Sequence, residues 1–269
     1  MRADLYLLSK GAAESRTAAQ KLIEAGAVIL DGKRLRKASE DISEGEHVLT
    51  VDAIDELKYV SRGGLKLEAI LAAYPRDLSG AVVADVGAST GGFTDCLLSM
   101  GAARVYCIDS GHGQLHPKLI ADARVRNMEG INARYLTVED LIAFEMSVSG
   151  GGFAPDGKLF DGQVDGAVMD VSFISQTFIH ATLAAMIREG GFLYTLIKPQ
   201  FEAGAQALGK GGVVKKESVR KAAIQRVCES AAACGFSLQG MILSPIQGGD
   251  GNVEYMAYFI KRNRGDYHG

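Results

Sequence analysis

Four charged residues lie where the surrounding sequence is apolar or rich in glycine. Lys66 is found in "SRGGLKLEAI", Asp170 in "VMDVSF", Lys198 in "LIKPQF" and Glu254 in "GNVEYMAYF". A lysine at the end of an apolar strand is costly unless an opposite charge pairs with it. Taken singly, each residue could belong to a structural ion pair. Taken together, two lysines and two carboxylates could be the polar groups of one catalytic cleft.

The stretch "DVGASTGGFTD" (85–95) follows an apolar run and has the glycines of a nucleotide-cofactor loop. Serine replaces the middle glycine of the dinucleotide fingerprint in the frame Gly87, Ser89, Gly92, which argues against a pyrophosphate ligand. Asp85 disfavours an anion and suits an amine, and Asp109, 22 residues after Gly87, can bind ribose hydroxyls. An adenosine-containing cation fits these features, so we expect S-adenosylmethionine as the cofactor.

The predicted cofactor contacts cover the glycine stretch and the ends of the next two strands. Glycine there lets the backbone approach a ligand closely and adopt positive φ. The predicted set is Asp85, Gly87, Ser89, Thr90, Gly91, Gly92, Phe93, Thr94, Asp109 and Glu129.

From residue 65 onward, strand-like and helix-like segments alternate. "AVVADVG", "RVYCIDS", "VRNMEGIN", "DGAVMDVSF" and "GFLYTLIKPQF" are typical of strands. "QTFIHATLAAMIRE" predicts a helix stopped by Gly190 and Gly191. "SLQGMILSP" and "VEYMAYFIKR" have no helix-length gap between them, so they should pair antiparallel. The pattern predicts an α/β, Rossmann-like domain with a mostly parallel sheet and one reversed strand, in which Asp170 and Lys198 end neighbouring strands.

The first part of the chain predicts a small α+β domain. It contains two short helices, the hairpin "AVILDGKRL" and a further strand, "HVLTV". Residues 1–39 have eight Lys and Arg against four acids, whereas residues 40–57 have seven acids and no Lys or Arg. A local positive face can contact RNA, although a solvated charged surface has the same composition. The predicted boundaries are 1–57 for this domain, 58–64 for a linker and 65–269 for the Rossmann-like domain.

The overall composition is that of a soluble globular protein. Of the 269 residues, 47% are hydrophobic and 23% charged, and the formal net charge is −3. No apolar run approaches the ~18 residues of a membrane helix. The N-terminal residues become polar too soon for a signal peptide. We therefore expect a cytoplasmic protein without a membrane partner.

Other reactive or ligand-binding residue types receive no role. His112 and His116 are expected to be loop or surface histidines, and no metal site is predicted. "GAQALGKGG" resembles a phosphate-binding loop, but Gly211 stands where a Ser or Thr must coordinate magnesium. We expect a flexible basic loop there that could cover a polyanionic substrate. Four cysteines show no metal or redox spacing and are expected to be reduced core thiols: Cys96, Cys107, Cys228 and Cys234.

Together, these motifs resemble those of a known family. "VSRGGLKL", "DVGASTGGFTD", "MDVSFIS", "KPQFEAG" and "GNVEY" are similar to the FtsJ-like, S-adenosylmethionine-dependent ribose 2′-O-methyltransferases, and in detail to the TlyA family of rRNA methyltransferases. The first domain resembles the S4-type RNA-binding domain of that family. The resemblance covers nearly the whole chain, and one departure is Ala3, where the family usually has leucine.

The resemblance implies that Lys66, Asp170, Lys198 and Glu254 form a catalytic tetrad. Lys198 would accept the 2′-hydroxyl proton if Lys66 and burial make it neutral, or would stabilise the developing alkoxide as an ammonium. Ribosomal RNA or ribosomal subunits would be the partner. RNA contact is expected from Arg2, Ser15, Arg16, Lys21, Lys33, Arg34, Lys37, Arg62 and Lys210.

Three other functions compete with this hypothesis. The first is a membrane-active hemolysin, which is a label that such proteins often carry. The sequence has no long apolar run and no large basic amphipathic helix that would support this function. A catalytically silent RNA-binding or ribosome-assembly factor would not need the four charged residues. A small-molecule methyltransferase would leave the basic first domain without a purpose.

Overall fold

The structure is a computed structural model that describes residues 1–263 apart from positions 14, 25–26, 36, 44, 52–57 and 247–250. Within that range the side chains of residues 21, 24, 205 and 210 are not described. The chain divides into two compact units, Met1–Lys58 and Tyr59–Gly269.

The first unit has two helices and a small antiparallel sheet. Its helices pack together over a core that includes Leu7, Ile23 and Val28. Asp31 and Gly32 both have positive φ, 51° and 77°, which is the turn geometry that matches the twist of a two-residue hairpin. The predicted hairpin is therefore confirmed. The elements are α1 (Ala3–Ser9), α2 (Arg16–Glu24), β1 (Val28–Leu30), β2 (Lys33–Arg34) and β3 (Leu49–Val51), with the sheet order β2-β1-β3.

The second unit is built around a sheet that has seven strands among the described residues. The strands are β4 (Val82–Val86), β5 (Arg104–Asp109), β6 (Val125–Glu129), β7 (Val164–Met169), β8 (Ile187–Ile197), β9 (Phe236–Leu243) and β10 (Tyr255–Lys261). Their order is β6-β5-β4-β7-β8-β10-β9. β10 is antiparallel to both of its neighbours, and the other neighbouring strands are parallel. The prediction of a mostly parallel sheet with one reversed strand is confirmed.

Helices cover both faces of this sheet, which explains why its central strands are apolar throughout. All five residues of β4 are buried. One core lies around Leu67 and Val83, and the other lies around Ile108 and Val227. The helices are α3 (Gly63–Ala73), α4 (Gly92–Ser99), α5 (Pro117–Ile120), α6 (Val138–Ser149), α7 (His180–Met186), α8 (Pro199–Glu202) and α9 (Glu217–Ala233).

The helix predicted to continue to Glu189 is shorter than expected. α7 ends at Met186, and β8 begins at Ile187 and continues through Gly190 and Gly191. The pairing of β7 with β8 is irregular here, because Val164 is opposite Ile187 but Gly166 is opposite Phe192. Gly190 has φ +71°, and a Cβ on Gly191 would lie 2.7 Å from the Asp165 carbonyl oxygen. The glycine pair therefore permits an irregularity within a strand and does not stop a helix.

Candidate active site

The four charged residues line one cavity of about 330 Å³ at the carboxyl edge of the parallel strands. Asp170 directly follows β7 and Lys198 directly follows β8, and these two strands are neighbours. Lys66 comes from α3, and Glu254 directly precedes β10. The structure thus brings together residues that are separated by up to 188 positions in the chain.

Lys198 and Asp170 form the central ion pair of this cavity. The Lys198 Nζ atom lies 2.5 Å from Asp170 Oδ1 and donates a hydrogen bond to the Ser172 hydroxyl at 2.7 Å. The side chains are only partly withdrawn from solvent, with 11% of Lys198 and 22% of Asp170 exposed. The pair can therefore contact a ligand that enters the cavity.

Lys66 and Glu254 form a second, more deeply buried pair. Lys66 Nζ donates to Glu254 Oε2 at 2.7 Å, and the amide Nε2 of Gln200 donates to Glu254 Oε1 at 3.1 Å. The side chain of Glu254 is 2% exposed. Sequence analysis missed Gln200, because a glutamine after "KP" gives no chemical signal unless its partner in space is known.

The glycine loop forms the adjoining wall of the cavity. A Cβ on Gly87 would lie 2.6 Å from the backbone oxygen of Asp170, and one on Gly92 would lie 2.2 Å from Ser61 Oγ. Ser89, which replaces the expected glycine, also has a positive φ of 48°. Its N–H donates to Asp109 Oδ2 at 2.8 Å, which helps to stabilise this unfavourable backbone conformation.

Asp85 is a fully buried carboxyl group in the lining of the same cavity. The Thr94 hydroxyl donates to its Oδ2 atom at 2.6 Å, whereas Oδ1 has no hydrogen-bond partner among the described residues. Burial raises the pKa of Asp85 to about 7 from the ordinary value of 3.8. An amine or another donor placed in the cavity would complete the hydrogen bonds of this group.

Some predicted cofactor contacts have a different position. Asp109 and Glu129 are outside the described lining of the cavity and accept hydrogen bonds from backbone N–H groups of nearby loops. Backbone hydrogen bonds, first from Gly113, lower the pKa of Glu129. Gly91 and Thr94 are also not among the lining residues. The structure places six predicted residues in the lining: Asp85, Gly87, Ser89, Thr90, Gly92 and Phe93.

Several predicted RNA contacts have structural partners in the first unit. The guanidinium groups of Arg2 and Arg16 both pair with the buried Asp4, at 3.0 and 2.9 Å. The Ser15 hydroxyl accepts from the N–H of Ala18 at the start of α2. In the second unit, Arg62 lines the 330 Å³ cavity. Lys33, Arg34 and Lys37 are exposed, whereas the side chains of Lys21 and Lys210 lie outside the described residues.

The other sequence features have ordinary structural surroundings. His116 accepts a hydrogen bond from the N–H of Lys118, and Leu208 and Gly212 of the glycine- and lysine-rich loop line a second cavity. All four cysteines are free thiols, two of them buried. In the described part of the chain, no group of three or more metal-ligating side chains is found, and no helix is long and apolar enough to cross a membrane.

Phe173 is a conspicuous residue that sequence analysis missed. Its side chain is 92% exposed, its φ is +65°, and its ring centroid lies 5.2 Å from that of Phe201. Both rings line the second cavity, of about 410 Å³, which shares Ser172, Lys198 and Glu254 with the first. Such backbone strain in an exposed aromatic residue often occurs at ligand sites.

The sheet order, the glycine loop at its central strand and the adjoining ion pairs define a Rossmann-like methyltransferase. Family comparison agrees: the FtsJ-like methyltransferase profile matches residues 59–261, and the S4 domain profile matches residues 1–48. The chain therefore belongs to the FtsJ-like methyltransferase family and carries an S4 domain.

Curated relatives and a solved structure are similar over almost the full chain. The 16S/23S rRNA (cytidine-2′-O)-methyltransferase TlyA of Mycobacterium tuberculosis is 37% identical over 257 residues, which cover 96% of this chain and 88% of the relative. Hemolysin A of Brachyspira hyodysenteriae is 36% identical over 261 residues, which cover 97% of this chain and 100% of the relative. A Streptococcus thermophilus structure described as a hemolysin has a TM-score of 0.72 and 38% identity, covering 98% of this chain and 89% of that one.

Proposed function

We propose that this protein transfers a methyl group from S-adenosylmethionine to the ribose 2′-hydroxyl of a cytidine in ribosomal RNA. The observation that carries the proposal is the Lys198–Asp170 pair, which lies in one cavity with the glycine loop. The cytidine assignment rests on the name of the mycobacterial relative. The S4 domain supports RNA as the substrate class.

The residues present fit S-adenosylmethionine. Asp85 Oδ1, which has no hydrogen-bond partner in the described part of the chain, would accept from the amino group, and the absent side chains of Gly87 and Gly92 would leave the loop backbone close to a ligand. Asp109, at the end of β5, would hold the loop and the ribose end of the cofactor. The cofactor supplies an electrophilic methyl group on a positively charged sulfur.

The chain's own residues would position and activate the hydroxyl group. Paired with Asp170, Lys198 acts as an ammonium that orients the 2′-oxygen and stabilises negative charge as it develops. With the 2′-oxygen so oriented, a cofactor held by Asp85 and the glycine loop would supply the methyl group that this oxygen receives, and the cofactor's sulfur would keep the electron pair of the bond that breaks. Because an ammonium cannot accept a proton, the hydroxyl proton would pass to the Asp170 carboxylate and then to solvent. Lys66 and Glu254 hold the adjoining wall of the cleft.

The first domain, with proposed bounds 1–57 and a linker at 58–64, would dock on the RNA. Among the described residues on and after its hairpin, Lys33, Arg34 and Lys37 are exposed cations. Phosphate contacts position structured RNA largely by shape and make affinity dependent on salt. We place this reaction in the cytoplasm, with ribosomal RNA or ribosomal subunits as the partner.

Methyl transfer to purified ribosomal subunits tests the proposal. Tritiated S-adenosylmethionine, the protein and each subunit from a strain without this activity should give labelled rRNA, with the label mapped to a ribose 2′-oxygen of cytidine. Absence of label on both subunits and on naked rRNA would contradict the proposal. Dye release from liposomes by the same protein would instead support the hemolysin alternative.

A further inference from the structure

The second cavity adjoins the catalytic amine and has the character of a nucleobase site. Phe173 and Phe201 supply aromatic walls, and Leu208 adds an apolar side chain. Its volume of about 410 Å³ is in the range of small-ligand sites. A ribose placed at the shared wall of the two cavities would have its hydroxyl at Lys198 and its base in the second cavity.

Gln200 lines this cavity and has a fixed amide orientation. Its Nε2 donates to Glu254 Oε1, while the other oxygen of that carboxylate accepts from Lys66. A carboxylate can only accept hydrogen bonds, so rotation of the amide would bring two acceptors together. The carbonyl oxygen of Gln200 must therefore be the end that points away from Glu254.

That carbonyl oxygen is buried and has no hydrogen-bond partner in the described part of the chain. A buried acceptor without a donor is unfavourable, so the site is incomplete until a donor arrives. Cytosine and uracil differ in this respect at ring position 4. Cytosine has an amino group that donates, whereas uracil has a carbonyl oxygen that only accepts.

We propose that Gln200 Oε1 accepts a hydrogen bond from the exocyclic amino group of the target base and thereby selects cytidine over uridine. The inference rests on the proposed function and adds a specificity residue to it. Uridine would bring a second acceptor against the Gln200 oxygen. A site built to bind a donor rejects an analogue that lacks it, because its own polar group is left unpaired.

The test compares two targets with two proteins. Ribosomal subunits carry either cytidine or uridine at the mapped methylation position, and kcat/KM is measured for wild-type protein and Gln200→Met. Wild-type protein should prefer cytidine about tenfold or more, and Gln200→Met should reduce that preference about tenfold. Gln225→Met is the matched control, because Gln225 makes a similar amide–carboxylate contact with Glu229 on an exposed helix surface.

Gln200→Asn, whose shorter amide withdraws the carbonyl group, should also lose the preference. S-adenosylmethionine affinity and circular dichroism check that both variants fold. If the variants methylate cytidine and uridine targets more slowly by the same factor, Gln200 only positions Glu254 and the inference is wrong. A wild-type target that maps to uridine also overturns it. Wild-type protein that labels no RNA would refute the proposed function, and the inference would fall with it.

Discussion

The two units of the protein pair carboxylates with cations in different ways. In the first unit, Asp4 is fully buried and accepts hydrogen bonds from Arg2, Arg16, Gln20 and the N–H of Leu5. In the second unit, Asp170 is 22% exposed and pairs with Lys198 at the wall of a cavity. Asp4 has a full set of donors, whereas the Lys198–Asp170 pair is still accessible from the cavity.

This difference shows that charge and residue type alone do not separate a structural cluster from one proposed to be catalytic. Arg2 and Arg16 were expected to contact RNA, and the structure shows that both also hold Asp4 in place. Their side chains are 40% and 51% exposed, so the RNA contact stays a prediction. RNA binding by variants of these arginines must therefore be compared with the unfolding temperature of the same variants.

The largest effect on activity is expected at the Lys198–Asp170 pair, which is accessible from the cavity. Lys198→Ala should reduce methyl transfer by about 10³-fold, because the charge that stabilises the developing alkoxide is removed. S-adenosylmethionine affinity, measured by titration calorimetry, should stay within a few-fold of wild type. Lys158→Ala, at an exposed lysine paired with Asp156, is the control. Near wild-type turnover of Lys198→Ala would remove this residue from the mechanism.

A different carboxylate, Asp85, sharpens the comparison because it is fully buried and pairs with no cation among the described residues. Its pKa is raised to about 7 by burial, so between pH 4 and pH 7 the unfolded chain is ionised while the folded protein keeps the proton. Stability should therefore fall as pH rises across this window, by at most about 4 kcal/mol for this group. Asp85→Asn should flatten the slope in urea unfolding of the cofactor-free protein. An unchanged slope would contradict this assignment.

A smaller effect of pH on stability, of opposite sign, is expected at Asp4, whose carboxylate already has a full set of hydrogen-bond donors. The hydrogen bonds from Arg2, and then from Gln20 and Arg16, hold the pKa of Asp4 well below its usual range. Its contribution to stability is present above about pH 4 and is lost as pH falls below that value. Asp4→Ala should lower the unfolding temperature of the first unit by several degrees in calorimetry. Asp170→Asn should instead reduce methyl transfer with little change in unfolding temperature.

The smallest effect is expected at the exposed cations of the first unit. Lys33→Ala and Lys37→Ala should each weaken rRNA binding a few-fold and reduce the slope of log affinity against log salt by about 1. Filter binding over a potassium chloride series measures this slope. Slopes identical to wild type would show that the hairpin region does not bind phosphate.

Much of the fold could be predicted because burial on both sides of a parallel sheet produces continuous apolar runs. The run 81–87 predicts β4, and the short gap before "VEYMAYFIKR" predicts the antiparallel β10. The helix boundary after Met186 could not be predicted, since "IRE" suits either a helix or a strand. Only the opposite strand, with the Asp165 oxygen next to Gly191, decides between them.

Within the candidate site, the four charged residues could be predicted because polar groups beside apolar strands are conspicuous. Gln200 and Phe173 could not, because their significance depends on a neighbour in space. Gln200 is 54 positions from Glu254, and Phe173 is 28 positions from Phe201. The partners of Asp4, 12 and 16 positions away, likewise depend on how α1 packs against α2.

The close approach of Gly87 to the Asp170 backbone oxygen limits which residues can replace glycine at position 87. A single added methyl group at position 87 would push apart the loop proposed to hold the methyl donor and the strand end that carries the acid. Alanine there should therefore alter cofactor affinity and turnover together. Because Gly87 has no side chain, the glycine loop and the end of β7 can lie close enough for the proposed methyl donor to reach the ribose oxygen beside Asp170.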